Sequence, residues 1–184
     1  MIYATKDFIL RNGLKVTLKS PDISDAEGLL DQIIETAKAT NYLLSDPEDF
    51  LPFKQNLKKE EEFISTFNDG EDCLICVYHD QRIIGSCKLS LRNHQKDSHR
   101  AEIGISIIKE YWGMGIGSLL FDEVINIARS IPKIEQLELD VIKDNERAKK
   151  LYTKKGFIKV GDIPHQLKLK DGTYLDGEMM VLYL

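Results

Sequence analysis

Residues 101–128 read AEIGISIIKEYWGMGIGSLLFDEVINIA, and three patterns follow one another within them. Over residues 101–107 the odd positions Ala101, Ile103, Ile105 and Ile107 are apolar, while Glu102, Gly104 and Ser106 face the other way. That is the period of two of a β-strand. Trp112, Gly113, Met114, Gly115, Ile116, Gly117 and Ser118 then make a glycine-rich turn, and Ile116, Leu120, Val124 and Ile127 form a stripe at helical spacing. A strand, a glycine loop and a helix in this order suit an anion. Glycines leave the backbone N–H groups open to it, and the helix start adds unpaired N–H groups and the positive end of its dipole. The anion is not that of a Walker loop, because Gly117, Ser118 and Leu119 include no lysine. A dinucleotide fingerprint would need glycine at Ser118 or Leu120, and it would open the first βαβ unit rather than lie beyond the middle of the chain.

Downstream, Leu137, Leu139 and Val141 alternate with Gln136, Glu138 and Asp140, which predicts another strand. Residues 145–155 read as a helix with Ala148, Leu151 and Tyr152 on one face, ended by Gly156 in a left-handed conformation. Two late strands are expected near residues 157–161 and 179–184. Upstream, two short strands at 8–10 and 15–18 flank Arg11, Asn12 and Gly13, a turn that tolerates positive φ. A helix carrying Leu29, Ile33, Ile34 and Ala37 follows Ser24 and Asp25. Residues 42–52, with two prolines, read as a loop or irregular turn, and 56–67 as a helix marked by Leu57, Phe63, Ile64 and Phe67. Strands at 73–78 and 82–91 meet at a turn of His79, Asp80 and Gln81. Strands interleaved with helices predict an α/β or α+β domain around a mixed sheet, and the early hairpins exclude a purely parallel one.

The bounds on function are set by size and charge. A chain of 184 residues and 21.1 kDa fits one domain, 1–184, with no linker, repeat or low-complexity stretch. Its 25 basic against 30 acidic residues give a net charge of -5, which argues against a nucleic-acid partner. No apolar run approaches the ~20 residues that span a bilayer, and residues 1–10 lack a signal-peptide core, so no membrane and a cytoplasmic location are expected. Cys73, Cys76 and Cys87 suit a reducing compartment. Cys73 and Cys76 form a C-x-x-C within a strand, where their odd offset sends them to opposite faces. With no second pair or His cluster, buried thiols are expected and no metal.

The glycine loop and the segment from Asn145 to Phe157 together carry a family resemblance. Asn145, Ala148, Leu151, Tyr152, Gly156 and Phe157 match the N-x-x-A-x-x-L-Y-x-x-x-G-F signature of the GNAT acetyltransferase superfamily, in its order and spacing after the loop. The chain resembles that superfamily well over residues 81–184 and in outline before them, with the final hairpin similar to its ribosomal-protein and small-amine branch. The resemblance implies a largely antiparallel central sheet splayed at the cofactor site and flanked by helices. It also implies transfer of an acetyl group from acetyl-coenzyme A (acetyl-CoA) to an amine.

By that resemblance, backbone groups of Gly113, Met114, Gly115, Ile116, Gly117 and Ser118 hold the pyrophosphate. Ile105, Ser106 and Ile107 pair with the pantetheine arm, Asn145 contacts the cofactor, and Tyr152 lies near the sulfur. Trp112 departs from the usual Gln or Arg, a change expected on the adenine side. The chemistry needs an amine without its extra proton, donors to the developing oxyanion and an acid for the departing thiolate. Tyr152 suits the acid, and a backbone N–H around Ile107 suits the oxyanion. Glu102 and Asp140 are the candidate bases, with His99 a third. The expected acceptor is a small-molecule primary amine. A protein N-terminus or lysine is the alternative, and a non-catalytic acetyl-CoA sensor is the rival of another class. Acidic residues Asp46, Glu48, Asp49, Glu60, Glu61 and Glu62 would attract a cation or form a solvated face. An exposed sheet edge would suit a homodimer.

Overall fold

The computed structural model describes Met1–Leu184. The chain packs as two compact units interleaved in sequence: Met1–Ser90 with Gly104–Leu120, and Leu91–Ile103 with Phe121–Leu184.

In the first unit, β1 (Lys6–Ile9) and β2 (Lys15–Lys19) pair antiparallel around Gly13, whose φ of 83° is the left-handed value the turn requires. α1 (Ala26–Ala39), α2 (Leu51–Gln55) and α3 (Lys58–Asp69) precede β3 (Cys73–His79) and β4 (Arg82–Leu91). Asp80 and Gln81 join those strands with φ of 46° and 66°, the pair of positive values that a tight two-residue hairpin demands. β3 is buried along almost its whole length because both of its faces are covered, which is why its sequence does not alternate. Leu74, Cys76 and Tyr78 on one face pack with Ala26 and Leu29 of α1 and with Ile64 and Phe67 of α3. Each leucine, isoleucine or phenylalanine among them taken fully from water contributes roughly 1.5–3 kcal/mol.

Residues 42–52 are not a plain loop. Pro47–Phe50 forms a short 3-10 turn, with Pro47 in its first turn and the Asp46 amide donating to Asp49 Oδ2 at 2.8 Å, and α2 follows directly. Proline breaks a helix interior but suits a first turn, where its missing N–H has no acceptor to lose.

In the second unit, β5 (Arg100–Ile107) begins beside β6 (Gln136–Ile142), with Arg100, Ala101 and Glu102 opposite Gln136, Leu137 and Glu138 in parallel register. β7 (Ile158–Lys168) and β8 (Tyr174–Tyr183) form a hairpin, longer than the sequence predicts, through Gly172 at φ 88°. Its length is hidden because β7 lies at the sheet edge and its register slips twice, so no continuous alternation is written into it. α4 (Ile116–Ser130) enters this unit at Phe121, and α5 (Glu146–Lys154) follows β6. Phe121, Tyr152 and Phe157 pack as an aromatic cluster, with Phe121 5.1 Å from Tyr152 and 5.7 Å from Phe157 between ring centres.

The strands follow the order β1-β2-β3-β4-β5-β6-β8-β7 in a mixed, largely antiparallel sheet with helices on its flanks. β5–β6 is parallel, and the registered pairs β1–β2, β2–β3, β3–β4, β6–β8 and β7–β8 are antiparallel. No helix is long and apolar enough to cross a membrane.

Candidate active site

The loop after β5 is built by glycine where a side chain would strain the chain. Gly113 and Gly115 have φ of 79° and 95°, and a Cβ placed on either would meet nothing within 4 Å. The backbone there is therefore bent for want of a side chain, and the space beside it is open, which fits a bound anion. The third glycine differs: Gly117 lies inside the first turn of α4. Leu119 N closes that turn onto Gly115 O at 3.0 Å, so the amides of Ile116, Gly117 and Ser118 have no helical acceptor. Ile116 is buried at 1% exposure, leaving only its backbone to face a ligand, and Met114 is half-buried.

The end of β5 corrects the alternation expected there. Ala101 and Ile103 are buried, yet Ile105 and Ile107 are partly exposed and Ser106 is buried. Ser106 faces α1, where Gln32 and Thr36 place polar groups on the helix's buried face. Gln32 Nε2 donates to Thr36 Oγ1 at 3.0 Å and Ser106 Oγ at 3.1 Å, and Ser86 Oγ donates to Gln32 Oε1 at 3.0 Å. These hydrogen bonds make the polar position of the strand the buried one. The Ile108 amide donates to Ile84 O at 3.0 Å and is thereby occupied. Trp112 turns its indole N–H inward onto Ile107 O at 2.7 Å, tying the loop's first residue to the strand end.

In the second unit, Asn145 is the N-cap of α5: its Oδ1 accepts from the Ala148 amide at 3.3 Å, which leaves Nδ2 as its donor. Tyr152 sits on the helix's inner face at 7% exposure, against Phe121 and Phe157. Gly156, at φ 93°, ends the segment as its sequence predicts.

The two candidate bases lie in different electrostatic surroundings. Glu102 stands opposite Glu138 in the β5–β6 ladder, 3.6 Å from Arg92 Nη2. Glu138 is buried and accepts from Arg92 Nη2 at 2.6 Å and from Arg100. Asp140, two residues along the same face and exposed, has its carboxyl pushed up from the ordinary value, by partial desolvation first, then by the charges of Glu102 and Glu138, with Arg92 opposing. Gln166 Nε2 donates to Asp140 Oδ2 at 3.3 Å. His99 is held at the start of β6 through its backbone carbonyl, which accepts from Glu135 and Gln136 amides.

Elsewhere the cysteines are free and buried. Burial raises the Cys73 thiol to about 11 and those of Cys76 and Cys87 higher still, so none is a ready thiolate. A cleft of about 680 Å³ in the first unit is lined by Asp25, Glu27, Asp31 and Glu35 rather than by the acids of residues 46–62. Lys54 pairs with Asp31 there, and Arg82 with Glu35 at 2.5 Å. Gln32 and Gln166 carry no sequence signal of their own. The mark that could have pointed to Gln166 is Gly177, a glycine in the middle of β8.

A mixed sheet with an amide-lined glycine loop between a strand and a helix offers main-chain donors of the kind that suit a phosphate-bearing ligand. A model of the acetyltransferase (GNAT) family matches residues 29–157, more than half of the sequence, and the chain belongs to that family. An Escherichia coli L-amino acid N-acetyltransferase, AaaT, is 28% identical over 101 residues, 55% of this chain and 62% of that relative, so the match spans less than two-thirds of it. A GNAT-family acetyltransferase from Streptococcus pneumoniae shares the fold with a TM-score of 0.84 at 22% identity, covering 92% of this chain and 99% of that one. The Salmonella typhimurium acetyltransferase yncA, solved with its cofactor acetyl-CoA, has a TM-score of 0.78 at 16% identity over 92% and 94% of the two chains. Ribosomal-protein-alanine acetyltransferases are among the solved structures that share the fold.

Proposed function

We propose that residues 1–184 form one cytoplasmic N-acetyltransferase domain that moves the acetyl group of acetyl-CoA onto a small-molecule primary amine. The observation that carries this reading is the loop: Gly113 and Gly115 hold left-handed backbone beside open space, followed by the unpaired amides of Ile116, Gly117 and Ser118. Main-chain donors of that kind suit a pyrophosphate and ask nothing of the side chain at position 112. Acetyl-CoA supplies an activated thioester. The backbone of Ile105, Ser106 and Ile107 pairs with its pantetheine arm where β5 runs on past its three registered residues with β6. Asn145 offers Nδ2 to the cofactor.

In this reading Asp140 is the base. Of the two carboxylates, Glu102 is in direct reach of Arg92, whereas Asp140 is pushed upward by partial desolvation and by like charges against a weaker pull from Arg92, toward a pKa better matched to an ammonium. Tyr152 supplies the proton that the departing thiolate needs, and a main-chain N–H at Ile107 itself stabilises the oxyanion. A second reading takes a protein N-terminus as acceptor, favoured by the ribosomal-protein acetyltransferases among the fold's relatives. A homodimer through an exposed edge such as β7 is compatible with either.

The test is an acceptor screen with thiol detection. Amino acids, polyamines and peptides with a free N-terminus are offered with acetyl-CoA. Acceptor-dependent thiol release from the first two groups supports the leading reading, and release from peptides alone supports the second. Tight acetyl-CoA binding with no release from any acceptor makes the protein a sensor instead.

A further inference from the structure

Gln166 of β7 reaches Asp140 of β6 although β8 lies between the two strands. The passage is Gly177. A Cβ at that position would lie 1.5 Å from Gln166 Oε1 and 2.5 Å from its Cδ, so the glutamine side chain occupies the space any other residue would fill. Two irregularities bring it there. The β7–β8 register slips between Ile163 and Leu167, and His165 takes a φ of 53°, its amide donating to Asp176 Oδ1 at 2.9 Å. Gln166 Oε1 ends up buried without a partner. A slipped register, a left-handed non-glycine residue and an orphaned oxygen are each unfavourable. All three accompany one hydrogen bond, from Nε2 to Asp140 Oδ2.

We propose that Gln166 is a positioning residue for Asp140, holding Oδ2 so that Oδ1 faces the acceptor amine, and that Gly177 exists to let it cross. This rests on the reading of Asp140 as base. In the step it serves, an N–H bond of the ammonium breaks and an O–H bond forms at Oδ1. The electron pair stays on nitrogen, which attacks the thioester carbonyl. The charged groups facing Asp140 are Glu102 from β5, Glu138 from β6 and Arg92 after β4. The first two disfavour its ionised form, and Arg92 together with the Gln166 donor favours it.

Gln166→Met keeps the length and deletes the donor, and Gly177→Ala keeps Gln166 and blocks its path. Carboxyl-detected NMR titration of Asp140 in the free full-length protein is read beside the pH dependence of acetyl transfer. Loss of a donor to the carboxylate raises the Asp140 midpoint by about half a unit or more in either variant. The acidic limb of kcat moves up by the same amount, acetyl-CoA affinity is unchanged, and the double variant is no worse than the worse single one. An unmoved midpoint in Gln166→Met, with normal wild-type turnover, overturns the positioning role, and that variant decides alone should Gly177→Ala fail to fold. Wild-type turnover that is absent, or that survives Asp140→Asn with its acidic limb intact, overturns the base assignment beneath it.

Discussion

Trp112 Nε1 donates to the carbonyl oxygen of Ile107 at 2.7 Å, which fixes the first residue of the glycine loop to the last residue of β5. Trp112→Phe keeps an aromatic ring, though a smaller one, and removes that donor. The net loss of about 1 kcal/mol for one hydrogen bond lowers the melting temperature by roughly 2–4 °C. Trp112 is the chain's one tryptophan, so its emission is unambiguous. Coenzyme A titrated into the wild type should change it, and a flat signal would separate the loop from the ligand.

Gly115 tests the loop by geometry. With no atom within 4 Å of a built Cβ, Gly115→Ala suffers backbone strain at φ 95° and no clash. It should lose about 1 kcal/mol of stability. Gly115→Asp adds a negative charge against phosphate and should weaken coenzyme A binding by about tenfold or more. Calorimetric titration of both variants separates strain from charge, and equal affinities would show that charge at this point is not felt.

Tyr152→Phe retains the ring packed beside Phe121, 5.1 Å between centres. Folding and coenzyme A affinity should therefore stay near wild type, while kcat falls by about 10²-fold or more for loss of a general acid. Single-turnover rates with an accepted amine check this. An undiminished rate returns Tyr152 to the hydrophobic core and nothing else.

Glu60 on α3 sets a pH dependence. Burial raises its carboxyl from an ordinary value of 4.5 to about 7. The folded chain therefore holds a proton that the unfolded chain has released, and stability falls as pH rises from 4.5 to about 7. Glu60→Gln should match the wild type near pH 4 and exceed it at pH 8 by about 1 kcal/mol, a figure reduced for the part of the carboxyl that water screens. Urea unfolding at the two pH values gives the comparison. A difference independent of pH would locate the effect elsewhere.

The strand, loop and helix around residues 101–128 were legible because apolar periodicity and glycine are local signals. The same holds for the α5 segment, where Asn145 caps and Gly156 terminates as the sequence implies. What periodicity cannot see is hydrogen bonding between distant polar residues. Ser106 looks like a solvent position, yet Gln32, 74 residues away, buries it. β7 looks short because its apolar residues Ile158 and Val160 are exposed on an edge and its later residues slip in register. Asp140 and Glu102 look equivalent in sequence. What separates them is tertiary: Arg92 lies 3.6 Å from Glu102, and Gln166 reaches Asp140 from across β8.

The buried net of Gln32, Thr36, Ser86 and Ser106 has a consequence for how this chain tolerates change. One amide meets three hydroxyls, and Ser86 and Ser106 also face each other at 3.0 Å, so removing Gln32 takes a partner from each hydroxyl in a largely buried place. The four positions are therefore inherited in step: drift at one is penalised until its neighbours follow, and a helix grafted from a cousin with oily residues at 32 and 36 would leave Ser86 and Ser106 only each other.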